Sequence, residues 1–187
     1  MIKPFTISAD TPVTPKVACK FIKEHTLHTH ARYDALERYY EGRHPICDRE
    51  KRSVLANNKL VCNHAKYISD TCTGYFAGNP VKYSGDGLEP LLELLRAADS
   101  DTQDIDLAQK ACIFGTAYEF IYTDEDGQPQ LYSPDPRQAF VIYDDTVRQK
   151  PVAGVYYYPL HDSVTDRDTG YSVYLCDSEN VVHFTTD

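Results

Sequence analysis

The first third of the chain contains histidines and cysteines that are spaced as metal ligands often are. Imidazole and thiolate are ligands that zinc prefers, and His44 and Cys47 stand at a ligand-like spacing. Zinc motifs combine two such close pairs, however, and the sequence contains no Cys-x-x-Cys pair. We therefore predict no metal and no cofactor, and interpret the histidines as an exposed polar helix face and the cysteines as core thiols. The residues concerned are His25, His28, His30, His44, Cys47, Cys62 and His64.

Other catalytic patterns are equally incomplete. Cys62 and His64 are two residues apart, so their side chains point to opposite faces of a strand and lie far apart on a helix. The chain has no Gly-x-Ser-x-Gly motif, and Gly85-Asp86-Gly87 lacks the glycine and lysine spacing of a phosphate-binding loop. The sequence therefore predicts a protein that is not an enzyme.

Carboxylates are grouped in three predicted turns, residues 99–106, 124–126 and 144–145. A calcium site needs several oxygens that converge at about 2.3–2.6 Å, and the sequence does not indicate such convergence. Because turns favour Asp for its local hydrogen bonds, we interpret these groups as solvated turns. A weak cation site between subunits stays open as an alternative.

Arginines are concentrated in residues 32–52, the one notably basic region of a chain whose net charge is −9. Acidic residues alternate with them, so salt bridges within a helix or between subunits are expected rather than a grip on DNA. The net charge also argues against a domain that binds duplex DNA tightly, although DNA could still pass the surface. The predicted interface residues are Arg32, Arg38, Arg43, Arg49 and Arg52.

These residues are carried by helices in the first part of the chain and by strands in the second. Residues 1–13 show no periodicity and predict a flexible N-terminal arm. Residues 14–115 repeat with a helical period, interrupted by a short strand predicted at 81–83, and residues 116–187 alternate with the period of strands. Segregated helices and strands indicate an α+β fold, with a mostly antiparallel β-meander after the helices.

The helical part contains several stop and start signals. A helix beginning at Pro15 and a second one around Tyr33 to Tyr40 are expected before Gly42, which suits a C-terminal cap. A further helix is predicted from Leu60 to Tyr75, with one buried face on which Cys72 is a core residue. The next helix is predicted to be capped by Asp104, and its Cys112 is likewise expected to be a core residue.

The chain has no secretory signal and no apolar stretch long enough to predict a membrane span, so it is expected to work where it is made, with reduced thiols. It stops directly after a predicted strand, and we expect it to be part of a longer protein.

Five segments, in this order and spacing, resemble tailed-bacteriophage portal proteins, of the subfamily found in long-tailed phages and prophages of Gram-positive bacteria. The resemblance covers roughly residues 33–160. The segments are Tyr39-Tyr40-Glu41-Gly42-Arg43-His44, Asn57-Asn58-Lys59-Leu60-Val61, Asp70 with Gly74-Tyr75-Phe76-Ala77-Gly78-Asn79-Pro80-Val81, Phe114-Gly115-Thr116-Ala117-Tyr118-Glu119, and Ser133-Pro134 with Phe140-Val141-Ile142-Tyr143-Asp144-Asp145.

This resemblance implies a subunit of a ring, usually a dodecamer, at one vertex of the capsid. Terminase pumps genomic DNA through such a ring, capsid or scaffold and head-completion proteins dock to it, and the assembly forms in the host cytoplasm before it becomes part of the virion. The chain resembles the N-terminal wing and stops before the stem, clip and crown. Two alternatives stay open: a small metal-dependent nucleic-acid-processing enzyme domain, and a free interaction module with one exposed apolar patch.

Overall fold

The computed structural model describes residues 5–50, 56–163 and 166–186, which form helices followed by mainly antiparallel strands. This order confirms the α+β class predicted from the sequence. The elements are β1 (Phe5–Ile7), α1 (Pro15–Tyr40), α2 (Pro45–Asp48), α3 (His64–Ala77), α4 (Glu89–Ala97), α5 (Ser100–Phe114), β2 (Phe120–Thr123), β3 (Pro129–Tyr132), β4 (Ala139–Asp144), β5 (Pro151–Asp162), β6 (Arg167–Cys176) and β7 (Val181–Thr186).

Packing divides the chain into two compact units, which we call the sheet unit (Met1–Ala31 with Pro134–Asp187) and the helical unit (Arg32–Ser133). These boundaries differ from the predicted change at residue 115, which follows the type of element. The β2–β3 hairpin pairs only with itself among the described strands and contacts α5, so it belongs to the helical unit. The first part of α1 belongs to the sheet unit because its apolar residues complete the core of the sheet.

The sheet unit contains five strands in the order β1-β4-β5-β6-β7. Strands β4 to β7 form the predicted antiparallel meander, and β1 adds to its edge in parallel, with Phe5 opposite Ile142. Phe5–Ile7, which lie within the predicted arm, are therefore an extended edge strand of this sheet. Three residues are too few to show an alternating pattern, but the Phe5 ring packs 4.8 Å from that of Phe140 and stabilises the edge strand.

The core of the sheet unit lies between α1 and one face of the sheet. Ala18 and Ile22 of α1 are buried together with the inward-facing residues of the three central strands, of which Phe140, Ile142, Val155 and Val173 are almost inaccessible. Successive strand residues point to opposite faces, so this single apolar face fixes the register of each strand.

The opposite face of the sheet carries a ladder of stacked aromatic rings. Tyr156 and Tyr174 pair across β5 and β6 with ring centroids 5.9 Å apart, and Tyr174 stacks on His183 of β7 at 4.4 Å. Cross-strand aromatic pairs of this kind stabilise a sheet on the face that is not covered by a helix.

In the helical unit, α3 packs against α5, which also contacts α4 and β3. Helix α3 begins at His64, later than predicted, because the Asn63 side chain accepts a hydrogen bond from the backbone N–H of Lys66 and caps it. The strand predicted at Val81–Tyr83 is wrong, since these residues pair with no described strand and form an irregular connection. Helix α5 begins at Ser100, before the predicted cap at Asp104.

Helix α1 is one continuous helix where the sequence predicted two. Its buried residues Ala18, Ile22, His25, Thr29 and Tyr33 follow the helical spacing in an unbroken stripe. The two polar members of this stripe interrupt the apolar pattern, which is why the sequence suggested separate helices. No helix among the described residues is both long and apolar enough to cross a membrane.

The end of α1 confirms the predicted role of Gly42. The backbone N–H of Arg43 donates to Arg38 O at 2.8 Å and that of Gly42 donates to Tyr39 O at 3.2 Å, which is the Schellman pattern. Gly42 has φ +78°, in the left-handed region that favours glycine. The chain is therefore turned sharply at the start of the segment that leads to α2.

We expect Gly42→Ala to lower the free energy of unfolding by about 1–2 kcal/mol, because alanine resists the left-handed conformation and its Cβ would lie 3.0 Å from Nδ2 of Asn63. Gly74→Ala is the control. Gly74 lies inside α3 with open space around it, so alanine there is expected to stabilise by about 0.5–1 kcal/mol. Chemical denaturation measures both values, and a neutral Gly42→Ala would contradict the assignment.

Candidate interaction surface

A hydrogen-bond network around Tyr40 joins the end of α1 to α3 and α5. The Tyr40 hydroxyl donates to Oδ1 of Asp70 at 2.8 Å and accepts from Lys66 Nζ at 2.8 Å and from Gln109 Nε2 at 2.7 Å. The Tyr40 carbonyl accepts from Nδ2 of Asn63 at 2.8 Å. One residue therefore positions three helices of the helical unit.

The charged side chains of this network shift each other's pKa. The hydrogen bond from Tyr40, followed by that from Lys66, lowers the pKa of Asp70. The hydrogen bonds to Tyr40 and Asp70 raise the pKa of Lys66, whose Nζ lies 3.2 Å from Oδ2 of Asp70. Both groups therefore stay charged at neutral pH, and the network holds the three helices in position.

The sequence places Tyr40 at the end of a predicted helix and in the first of the five resembling segments, but does not indicate this network. Lys66 and Asp70 are four residues apart, a spacing that predicts contact on a helix and that could have indicated the pair. Nothing in the sequence connects Tyr40 to Gln109, since only folding brings them together.

We expect Tyr40→Phe to lower the free energy of unfolding of the helical unit by about 1–2 kcal/mol, because the donors and acceptors around the hydroxyl lose their common partner. Tyr39→Phe serves as the matched control, since Tyr39 is exposed. Hydrogen exchange should locate the loss at α3 and its contacts with α5. Equal effects of the two substitutions would show that the network does not hold these helices together.

The outer face of α3 is apolar and exposed. Tyr75 is 95 % and Phe76 is 84 % accessible, and the exposed Ile68 lies on the same side of the helix as Tyr75, two turns earlier. Thr73 is the only residue of α3 that is buried. The predicted buried face of this helix is therefore wrong within the chain.

Cys47, Cys62, Cys72 and Cys112 are also exposed, which corrects their prediction as core residues. The apolar pattern around them is typical both of a core and of a surface that packs on another molecule, and the sequence alone does not distinguish the two. All six cysteines are free thiols in the structure.

Beside this face lies a cavity of about 540 Å³, which we call the α3–α5 groove. It is bounded by the end of α3, the connection at residues 79–81 and one side of α5. Its apolar lining residues are Phe76, Ala77, Pro80, Val81, Ile105, Leu107, Ala108 and Ala111, and its acidic ones are Asp101 and Asp104.

The predicted interface arginines have different environments. Arg38 pairs with Asp48 at 2.6 Å and Arg43 pairs with Glu41, both within the chain and both exposed. Arg32 and Arg49 are exposed and make no ion pair with the residues described at 5–50, 56–163 and 166–186. Arg52 lies outside the described residues. The role of these arginines between subunits stays a prediction.

The histidines do not form one exposed face. His25 is 1 % accessible, and its Nδ1 lies 2.8 Å from the hydroxyl of Tyr157. His30 Nε2 donates to the carbonyl of Arg137 at 2.8 Å, while His28 is exposed. Burial, and secondarily the charge of His30, lowers the pKa of His25 to about 4. His25 is therefore a neutral core residue, which corrects its predicted exposure.

No group of three or more His, Cys, Asp or Glu side chains in the described part of the chain is arranged to hold a metal. The carboxylates of two acidic turns bind their own backbone instead. Asp124 Oδ1 accepts from the N–H groups of Asp126 and Gln128, and Asp144 Oδ1 accepts from Thr146 and Lys150. These bonds lower the pKa of both carboxyls, led by Gln128 and by the Thr146 hydroxyl respectively.

The family described as "Phage portal protein, SPP1 Gp6-like" matches residues 19–187. The chain belongs to this family of phage portal proteins. No curated protein matches the chain. The portal match includes all four segments between residues 57 and 145 on which the resemblance was based, together with Tyr39–His44, so the resemblance is confirmed at the level of the family.

Membership in the portal family gives the chain a structural role in the phage and associates it with the virion, the head–tail connector and DNA packaging. The portal match includes the whole helical unit, and hence the Tyr40 network, the outer face of α3 and the α3–α5 groove.

Proposed function

We propose that this chain forms the wing of a portal subunit and that the full-length protein assembles into a ring, usually a dodecamer, at one vertex of the capsid. Genomic DNA is packaged and later ejected through the ring. The observation that carries the proposal, beyond family membership, is the exposed apolar face of α3, with Tyr75 and Phe76 almost fully accessible in the isolated chain.

Burial of this face against a neighbouring subunit would remove the free-energy cost of exposing its apolar side chains to water. A wholly accessible aromatic ring gains on the order of 1.5–3 kcal/mol on burial, and aromatic residues are enriched in the cores of interfaces. The Tyr40 network holds α3 in place from the opposite side, so the face is presented on a fixed helix.

The charge of the chain supports passage of DNA without tight binding. A net charge of −9 disfavours phosphate contacts, and weak contact suits a channel component through which DNA must move. Terminase, capsid or scaffold proteins and head-completion proteins are the proposed partners of the full-length ring. The proposed location is the portal vertex of the virion, with assembly in the host cytoplasm.

Negative-stain electron microscopy of the full-length protein tests this proposal. Closed rings with a central channel are expected, and particles assembled without the protein should contain no packaged DNA. A full-length protein that stays monomeric under all assembly conditions would count decisively against a portal ring.

A further inference from the structure

We propose that the α3–α5 groove of one copy binds the α2 segment, residues 43–49, of a second copy. This inference rests on the proposed function, since it specifies a contact between neighbouring subunits of the ring. It assigns a partner to two surfaces of the helical unit that share no residue.

The groove combines an apolar floor with two acidic side chains. Phe76, Val81 and Ile105 contribute exposed apolar surface, and Asp101 and Asp104 lie on the same side of α5. Neither carboxylate makes an ion pair with any residue that the structure describes. A ligand that fits this chemistry offers an apolar side chain together with a nearby cation.

The α2 segment has that composition. Ile46 is 40 % accessible on a helix that buries none of its residues. Arg49 follows directly as the exposed C-cap, and its guanidinium is unpaired within the described chain. Arg43 is engaged by Glu41 and Arg38 by Asp48, so Arg49 is the cation that remains available for an external carboxylate.

Because the groove and the segment are different surfaces, the contact is heterologous: each copy receives one neighbour and is received by another. Heterologous contacts generate closed rings when the rotation between copies closes. The Schellman turn at Gly42 and the Tyr40 network fix the direction in which the chain leaves α1 toward this segment. The proposed contact is therefore compatible with cyclic assembly.

Two native cysteines allow the contact to be tested without new thiols. Cys47 lies in the α2 segment and Cys112 lies one helical turn beyond Ala108, and both are exposed. A short bis-maleimide added to this chain at high concentration should give covalent dimers, in which mass spectrometry finds Cys47 linked to Cys112. Cys47→Ser should abolish these dimers, whereas Cys62→Ser should leave them unchanged.

A chain that yields only monomers would overturn the contact and leave the groove to a different partner. Dimers linked through like pairs, such as Cys47 to Cys47, or through Cys72 would overturn it as well, because they require another geometry.

Charge reversal provides an independent test of the same contact. Asp104→Lys and Arg49→Glu should each reduce the crosslinked dimer roughly tenfold or more, and the double variant should regain it because the charges are exchanged. Asp106→Lys is the matched control, since it makes the same charge change on α5 away from the groove lining. Single variants without effect, or a double variant that stays monomeric, would refute the pairing.

The full-length protein separates this inference from the proposed function. If the wild-type protein forms rings and the Asp104→Lys variant forms the same rings, the proposed contact is wrong and the proposed portal ring stands. A wild-type protein that forms no rings would contradict the proposed function, while the crosslink of the present chain decides the contact by itself.

Discussion

Phe140→Ala is expected to lower the free energy of unfolding by about 3–5 kcal/mol, the usual cost of truncating a buried phenylalanine. The Phe140 ring is 2 % accessible and lies 4.8 Å from Phe5 and 5.0 Å from His25, centroid to centroid. Its removal leaves a cavity between α1 and the sheet at the point where β1 is held. Urea denaturation followed by circular dichroism measures the loss.

Phe76→Ala is the matched control, because it makes the same chemical change at a ring that is 84 % accessible. We expect it to change the stability of the isolated chain by no more than roughly 0.5 kcal/mol. A large loss at Phe76 would mean that α3 is covered within the chain, contrary to the structure and to the proposed interface.

Acid is expected to destabilise the sheet unit through His25. The pKa of this imidazole is about 4 in the folded chain and about 6.5 in an unfolded one. Between these values the unfolded chain binds a proton that the folded chain does not, so stability is fully present above pH 6.5 and falls as the pH decreases. The slope is about 1.4 kcal/mol per pH unit, and roughly 3 kcal/mol is lost by pH 4.

The carboxyls of Asp124 and Asp144 also favour the folded state less as they become protonated, so a comparison of variants must isolate His25. His25→Gln should be less stable at neutral pH and should show a flatter dependence between pH 6.5 and 4.5. His28→Gln, at an exposed position of the same helix, should keep the wild-type slope. Urea denaturation at several pH values gives the slopes, and identical slopes for all three proteins would contradict the burial of a neutral His25.

The meander was predictable because its chemistry is local. Val155, Tyr157 and the other inward residues of β5 alternate with outward ones, and Asp126-Gly127 marks the hairpin before them. Gly42 was predictable for the same reason, since a helix that stops at glycine uses only neighbouring residues.

Other features of the structure depend on contacts between residues that are far apart in the sequence. Phe5–Ile7 becomes a strand only because β4 offers an edge, and Val81–Tyr83 does not become one because no described strand lies beside it. His25 is buried because Tyr157, far along the chain, supplies a hydrogen-bond partner.

The candidate surface was the least predictable part. The apolar pattern of α3 is the same whether the helix packs within its own chain or on a neighbour, so Cys72 was assigned to a core. The arginine group was found from composition. Which arginines pair within the chain, and that Arg49 forms no ion pair with a described residue, depends on where α2 lies relative to α1.

A cryo-EM reconstruction of the full-length protein tests the central claim most directly, that this chain supplies the contacts between subunits of a portal ring. We predict a closed ring in which Tyr75 and Phe76 are buried against the adjacent subunit and Arg49 of one copy lies beside Asp104 of the next. A ring in which the outer face of α3 and the α3–α5 groove both face solvent would contradict this account.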